Sequence, residues 1–178
     1  MKKNRSMKTK GIVLFMLLAL VGCKGSDQAT TTKGSETRPA EIARGWKRID
    51  AGAAFSFWIP PEMEQQRATG IDSLVGEYRS TTMRITFDYG RYSNPLANYF
   101  SNPGCEDETT SISGKDGRIV ECKRAKSDSD PSYLTAIHFS NVHEAAGEES
   151  IKLTMEVEFN QEGDQETARK ILESIVFK

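Results

Sequence analysis

The residues of this 178-residue chain whose chemistry is easiest to name are two histidines, two cysteines in its globular part and several clustered acids. His138 alternates with Ile137 and Phe139, which sets it on a strand and pointing off the core. His143 sits in Asn141-Val142-His143-Glu144 and reads as a loop residue. Structural or solvated roles fit both imidazoles better than a metal pair. The chain has no Gly-x-Ser-x-Gly elbow, no phosphate-cradling glycine loop and no His-Glu-x-x-His. A Ser–His–Asp triad assembles only in space, so a hydrolase is kept as the least favoured function. No catalytic residue, cofactor or metal site is assigned. Glu106, Asp107 and Glu108, with Asp128 and Asp130, are oxygen donors of the kind Ca²⁺ takes, but acids in loops are more often simply solvated. Cys105 and Cys122 lack the paired spacing of a zinc site. They are read as a disulfide, with two free thiols as the alternative; the closed loop would contribute about 3 kcal/mol.

One stretch suggests a binding rim. Asp88-Tyr89-Gly90-Arg91-Tyr92-Ser93-Asn94-Pro95 lies just past a strand and is followed by Tyr99 and Phe100. Tyrosine offers an apolar ring with a polar tip, and loops at sheet ends carry function. Tyr89, Arg91, Tyr92 and Tyr99 are therefore candidate ligand-binding residues for a small molecule or a glycan. The competing reading is a turn at Gly90 in which the tyrosines close the end of the sheet.

The first residues act as an address. Lys2, Lys3, Arg5, Lys8 and Lys10 precede an uninterrupted apolar run, Ile12–Val21, of ten residues. A bilayer span needs roughly 20 such residues, so the segment reads as a secretory signal peptide, residues 1–22. Its end, Leu20-Val21-Gly22-Cys23, resembles the bacterial lipobox. That resemblance implies cleavage before Cys23 and acylation of Cys23, a membrane partner held through lipid. Lys24 stands where an Asp would resemble an inner-membrane retention signal, so the outer membrane facing the periplasm is the expected location. The whole chain carries 24 basic and 25 acidic residues; without the five basic residues of the signal, 19 face 25 and the net charge is −6. An acidic balance argues against nucleic acid as a partner. An exported chain also favours the disulfide.

Behind the address, residues 23–44 are Ser, Thr, Gly and charge with no aromatic side chain, too polar to offset the entropy of ordering. They read as a lipidated flexible tether with an r.m.s. reach of roughly 25 Å. Residues 45–178 form a single globular α+β domain. Period-two alternation marks strands at Met83–Tyr89 and Ile151–Phe159, half buried in a mainly antiparallel sheet. Phe55–Ile59 is a strand stopped by Pro60-Pro61, and Tyr133–Phe139 is another. Ser113–Arg118 reads as a turn joining Thr109–Ile112 to Arg118–Arg124, which sets Cys122 nearly opposite Thr109. Ala168, Ile171, Leu172 and Ile175 give one apolar helix face, with Asp164 as its cap and Glu166 paired to Lys170. A short strand Ile175–Phe177 follows, and a short helix is expected within Pro95–Phe100.

Two marked ends carry a second resemblance. Phe55-Ser56-Phe57-Trp58-Ile59-Pro60 and Thr167-Ala168-Arg169-Lys170-Ile171-Leu172-Glu173-Ser174-Ile175-Val176-Phe177 resemble the opening strand and closing segment of the PsbP-like superfamily. The resemblance implies a central antiparallel sheet with helices packed on it. It further implies an accessory or binding role rather than catalysis. For such a domain held at the envelope by Cys23, an envelope protein is the expected partner. The family places a helix after the opening strand, for which PEMEQQRATG is too polar and too short.

Overall fold

Alternation along the strands decides which side of each strand is dry, and the computed structural model follows that pattern. It describes residues 44–124, 131–143 and 150–178. The signal peptide, Cys23, the tether up to residue 43, Asp128 and Asp130 lie outside the described residues. In chain order the elements are β1 (Lys47–Ala51), β2 (Phe55–Ile59), β3 (Glu64–Gln66), β4 (Leu74–Arg79), β5 (Met83–Gly90) and α1 (Ala97–Phe100). They continue with β6 (Cys105–Ile112), β7 (Lys115–Lys123), β8 (Tyr133–His143), β9 (Ile151–Phe159), α2 (Gln165–Glu173) and β10 (Val176–Phe177).

Seven strands form one antiparallel sheet in the order β3-β4-β5-β9-β8-β7-β6, and a small sheet has the order β1-β2-β10. The domain is thus α+β, a mainly antiparallel sheet covered on one face by a C-terminal helix and the small sheet. Met83, Ile85 and Phe87 of β5, Leu153, Met155, Val157 and Phe159 of β9, and Ile137 and Phe139 of β8 turn to that inner face. Phe55, Phe57 and Ile59 of β2 meet them, as do Ala168, Ile171 and Leu172 of α2. Phe55 and Phe57 pack edge-on against Phe87, with ring centroids 5.2 and 5.9 Å apart. Each fully buried side chain of this size contributes about 1.5–3 kcal/mol. Ser174 ties the end of α2 to β2: its hydroxyl donates to the Ile171 carbonyl at 2.6 Å and accepts from the Trp58 N–H at 2.9 Å.

Three expectations change. The hairpin turn is only Ser113-Gly114, because Ile112 faces Lys115 directly. Both turn residues have positive φ, 52° and 73°, as a two-residue turn matched to strand twist requires. The shorter turn resets the register, so Cys122 lies opposite Cys105 and Thr109 opposite Arg118. Asp164 sits at the start of α2 but does not cap it through its side chain. A 3-10 turn, Glu162–Asp164, runs straight into the helix and leaves Asp164 at φ −83°, ψ −6°, already helical. His143 belongs to the end of β8, beyond a register irregularity after Phe139. Where the PsbP resemblance calls for a helix after Pro61, the chain makes the short strand β3.

Candidate functional site

The outer face of the large sheet brings polar side chains into rows, because directly opposed residues share a face. One row runs Thr109, Arg118, His138, Thr154, Asp88 from β6 to β5. One step along the strands, Ser111 lies opposite Asp116. The segment after β5 folds over this face. Leu96 is fully buried there against Val120, Cys122, Leu134 and Ala136, a second apolar cluster with Tyr99 and Phe100 at its margin. The chain reaches this cover through Leu96 at φ 60°, whose N–H is held by the Asn94 side chain at 3.0 Å.

His138 does point off the main core, as its alternation implies, but it is covered rather than solvated. A polar chain holds it. Thr154 donates to the Asn94 carbonyl at 2.5 Å. Its oxygen is therefore placed to accept from His138 Nδ1, 2.9 Å away. Ser93 stands 2.6 Å from Thr154 and 3.0 Å from the Asp88 carbonyl. Burial, and then the charge of Lys152, hold the His138 imidazole below its ordinary pKa. Among the described residues the hydrogen-bond partner of His138 is Thr154 rather than a serine or cysteine, and His143 is exposed. Oδ1 of Asp88 is buried without a hydrogen-bond partner among the described residues.

Beside His138 opens a groove of about 760 Å³, lined among others by Phe100, Thr109, Ser111, Asp116, Arg118 and Ser140. The Arg118 guanidinium lies 3.7 Å above the centre of the Phe100 ring, and its Nε donates to Asp107 at 2.6 Å. The other half of the outer face is a charge network. Glu77 pairs with Arg84 at 3.1 Å and also with Arg79, Arg84 reaches Glu158 at 3.3 Å, and Arg124 joins Glu158 at 2.8 Å to Tyr99 at 3.1 Å. Glu156 stands among them with no hydrogen bond or ion pair to any described residue. Burial, and then the neighbouring Glu158, raise its carboxyl above the ordinary range.

Tyr89, Arg91, Tyr92 and Tyr99 take three different positions: the inner face, the outer face and the end of β5. Tyr89 turns inward, its ring 5.8 Å from Phe55. Tyr99 lies on the outer face beside Arg124. Arg91 and Tyr92 are exposed at the end of β5. Tyr92 shares that corner with the loop before β4, which packs on Gly90: a Cβ there would stand 2.6 Å from that of Ser73. Ile71 is wholly exposed, and Tyr92 and Leu74 are 75% and 41% exposed, making this an apolar corner. Asp116 and Arg118 escape the sequence reading because the turn Ser113–Arg118 takes in Asp116 and leaves Arg118 at the turn's junction with the strand. Their signal was the alternation of polar residues around Gly117, two positions apart on one strand face.

Cys105 and Cys122 are joined as a disulfide, Cα atoms 4.0 Å apart across β6 and β7. Among the described residues no three His, Cys, Asp or Glu side chains gather as a metal site, and no helix is long and apolar enough to cross a membrane.

Sheet order, register and the covering helix define an α+β domain, with a polar groove on the open sheet face. No protein family and no curated protein matches the chain. Among solved structures it is similar to the solution structure of cyanobacterial PsbP (CyanoP) from Synechocystis sp. PCC 6803. The identity is 13%, with 79% of this chain and 96% of that chain covered and a TM-score of 0.49.

Proposed function

We propose that this protein is an exported, lipid-anchored accessory domain of the bacterial envelope that works by binding other proteins rather than by catalysis. Residues 1–22 direct export and Cys23 carries the lipid. The domain of residues 45–178 stands off the membrane on its tether, on the outer membrane and facing the periplasm. The disulfide between Cys105 and Cys122 supports an oxidising compartment.

The apolar corner of Ile71, Leu74 and Tyr92 carries the interaction reading. The described chain starts beside β1, where Lys47 faces Ile59. The corner lies past the other end of β2: Phe55 touches Tyr89, which faces Leu74. The five residues of β2 span roughly 13 Å. The first described residues therefore lie at one end of the small sheet, and the apolar corner is displayed near the other.

The test is in-cell photocrosslinking from position 71 or 92, read by mass spectrometry, with Cys23→Ser as the control. A reproducible envelope partner that is captured from these positions, and lost in the control, is the expected result. Capture no greater than from an exposed position at the opposite end, such as Glu62, refutes the reading. The lipid has its own readout. Cys23→Ser should abolish the acylated mass of the mature chain, and an unchanged acylated mass would rule out Cys23 as the anchor.

A further inference from the structure

The groove beside His138 holds a particular mixture of groups. Asp116 is exposed at its mouth and makes no hydrogen bond or ion pair with any described residue. Arg118 is half used: Nε is committed to Asp107 and one face to Phe100, while its terminal nitrogens make no hydrogen bond to any described residue. His138 Nδ1 is committed to Thr154, and burial and Lys152 favour the neutral ring, in which Nε2 is the acceptor. Thr109, Ser111 and Ser140 add hydroxyls that both donate and accept.

These groups form a grid set by the sheet. Thr109, Arg118 and His138 stand on neighbouring strands about 4.8 Å apart, and Asp116 lies two residues from Arg118, roughly 6.6 Å along the same face. Pro95 and Phe100 supply one apolar wall. Charge decides what fits. Asp107 already offsets Arg118, and the free carboxylate of Asp116 repels an anion. Donors and acceptors alternate over the grid, which suits a ligand whose own groups do both. The volume of about 760 Å³ lies in the range of small-molecule sites.

We propose that this groove binds an uncharged polyhydroxylated ligand, an oligosaccharide, with Asp116 and Arg118 fixing vicinal hydroxyls and His138 accepting a third. The site is separate from the apolar corner proposed to hold a protein partner, so either can fail alone.

The experiment is isothermal titration of the full chain, purified in detergent, with chitotetraose, cellotetraose and maltotetraose, and with inorganic phosphate as the anionic probe. Saturable binding of at least one tetrasaccharide is expected, weakened about tenfold or more by Asp116→Asn and by Thr109→Val. Both positions are exposed, so the fold should be kept, as an unchanged circular dichroism melt would verify. No saturable binding by any of the three sugars overturns the proposal. So does sugar binding that Asp116→Asn and Thr109→Val leave untouched, or tighter binding of phosphate than of every sugar.

Discussion

Gly76 on β4 faces Phe87 on β5, and the Phe87 ring lies across the space where a side chain would be. A Cβ at position 76 would stand 2.2 Å from Cε1 and 2.4 Å from Cζ of that ring. Carbon contacts settle near 3.5 Å, so the ring must retreat by about 1.3 Å. It has little room, because Phe55 and Phe57 hold its other sides. Overpacking of this kind costs about 1–3 kcal/mol. Alanine also restricts the unfolded chain, which offsets about 0.4–1 kcal/mol. Gly76→Ala should therefore destabilise the domain by about 1–2 kcal/mol. In urea, with a slope of about 2 kcal/mol/M, the midpoint should fall by about 0.5–1 M. Phe87→Leu removes the two ring atoms nearest the new methyl. Combined with Gly76→Ala it should cost less than the sum of the two single changes, by about 0.5 kcal/mol or more. Additive effects, or a Gly76→Ala midpoint equal to that of the parent, would refute the contact as the cause.

Removing the disulfide with Cys105→Ala and Cys122→Ala together opens a loop of sequence separation 17 and should cost about 3 kcal/mol, read from urea midpoints; a loss under about 1 kcal/mol would show that the hairpin holds its own register. His138 gives a pH dependence of defined sign. Its native pKa is lowered, so below the ordinary value of about 6.5 the unfolded chain takes up a proton that the native ring resists. Its contribution is intact above that value and is lost as pH falls, and His138→Gln should flatten the fall in stability between about pH 7.5 and 5.5; equal slopes in variant and parent would contradict this. Glu156 runs the other way: its raised pKa makes the charged form a burden at neutral pH. Glu156→Gln should raise the urea midpoint at pH 7, with the gain shrinking as pH falls into the carboxylate range, and a gain that is constant with pH would point to another cause.

The strands that alternate were legible because pleat converts a period of two directly into an inside and an outside. Ile151–Phe159 and Met83–Tyr89 needed nothing more. The helix face of Ala168, Ile171 and Leu172 came from its 3.6 period in the same way, and Glu166 and Lys170 do pair at 2.6 Å. β1 and β3 gave no such signal, being mostly exposed runs whose polarity matches that of a loop. The hairpin was found but misregistered, since two glycines, Gly114 and Gly117, both offered a turn. Only the tight one matches strand twist. That choice alone moved Cys122 opposite Cys105 and added Lys115, Asp116 and Gly117 to the strand. The side of His138 was legible, but its cover was not. The chain over it is tied down by Ser93 and Thr154, which are 61 residues apart, and no local pattern reports a contact of that span.

The small sheet has a consequence for the order in which the chain can fold. β2 receives β10 on one edge, with Val176 opposite Ser56 and Phe177 opposite Phe55. Phe177 also meets Phe139, ring centroids 5.0 Å apart, and Phe55 sits at the heart of the core. About 120 residues separate the partners of that pairing. Loop closure of that length brings no reward until the last strand has emerged. Until Val176 and Phe177 are in place, the aromatic strand β2 has only β1 beside it, so the burial of Phe55 is completed late.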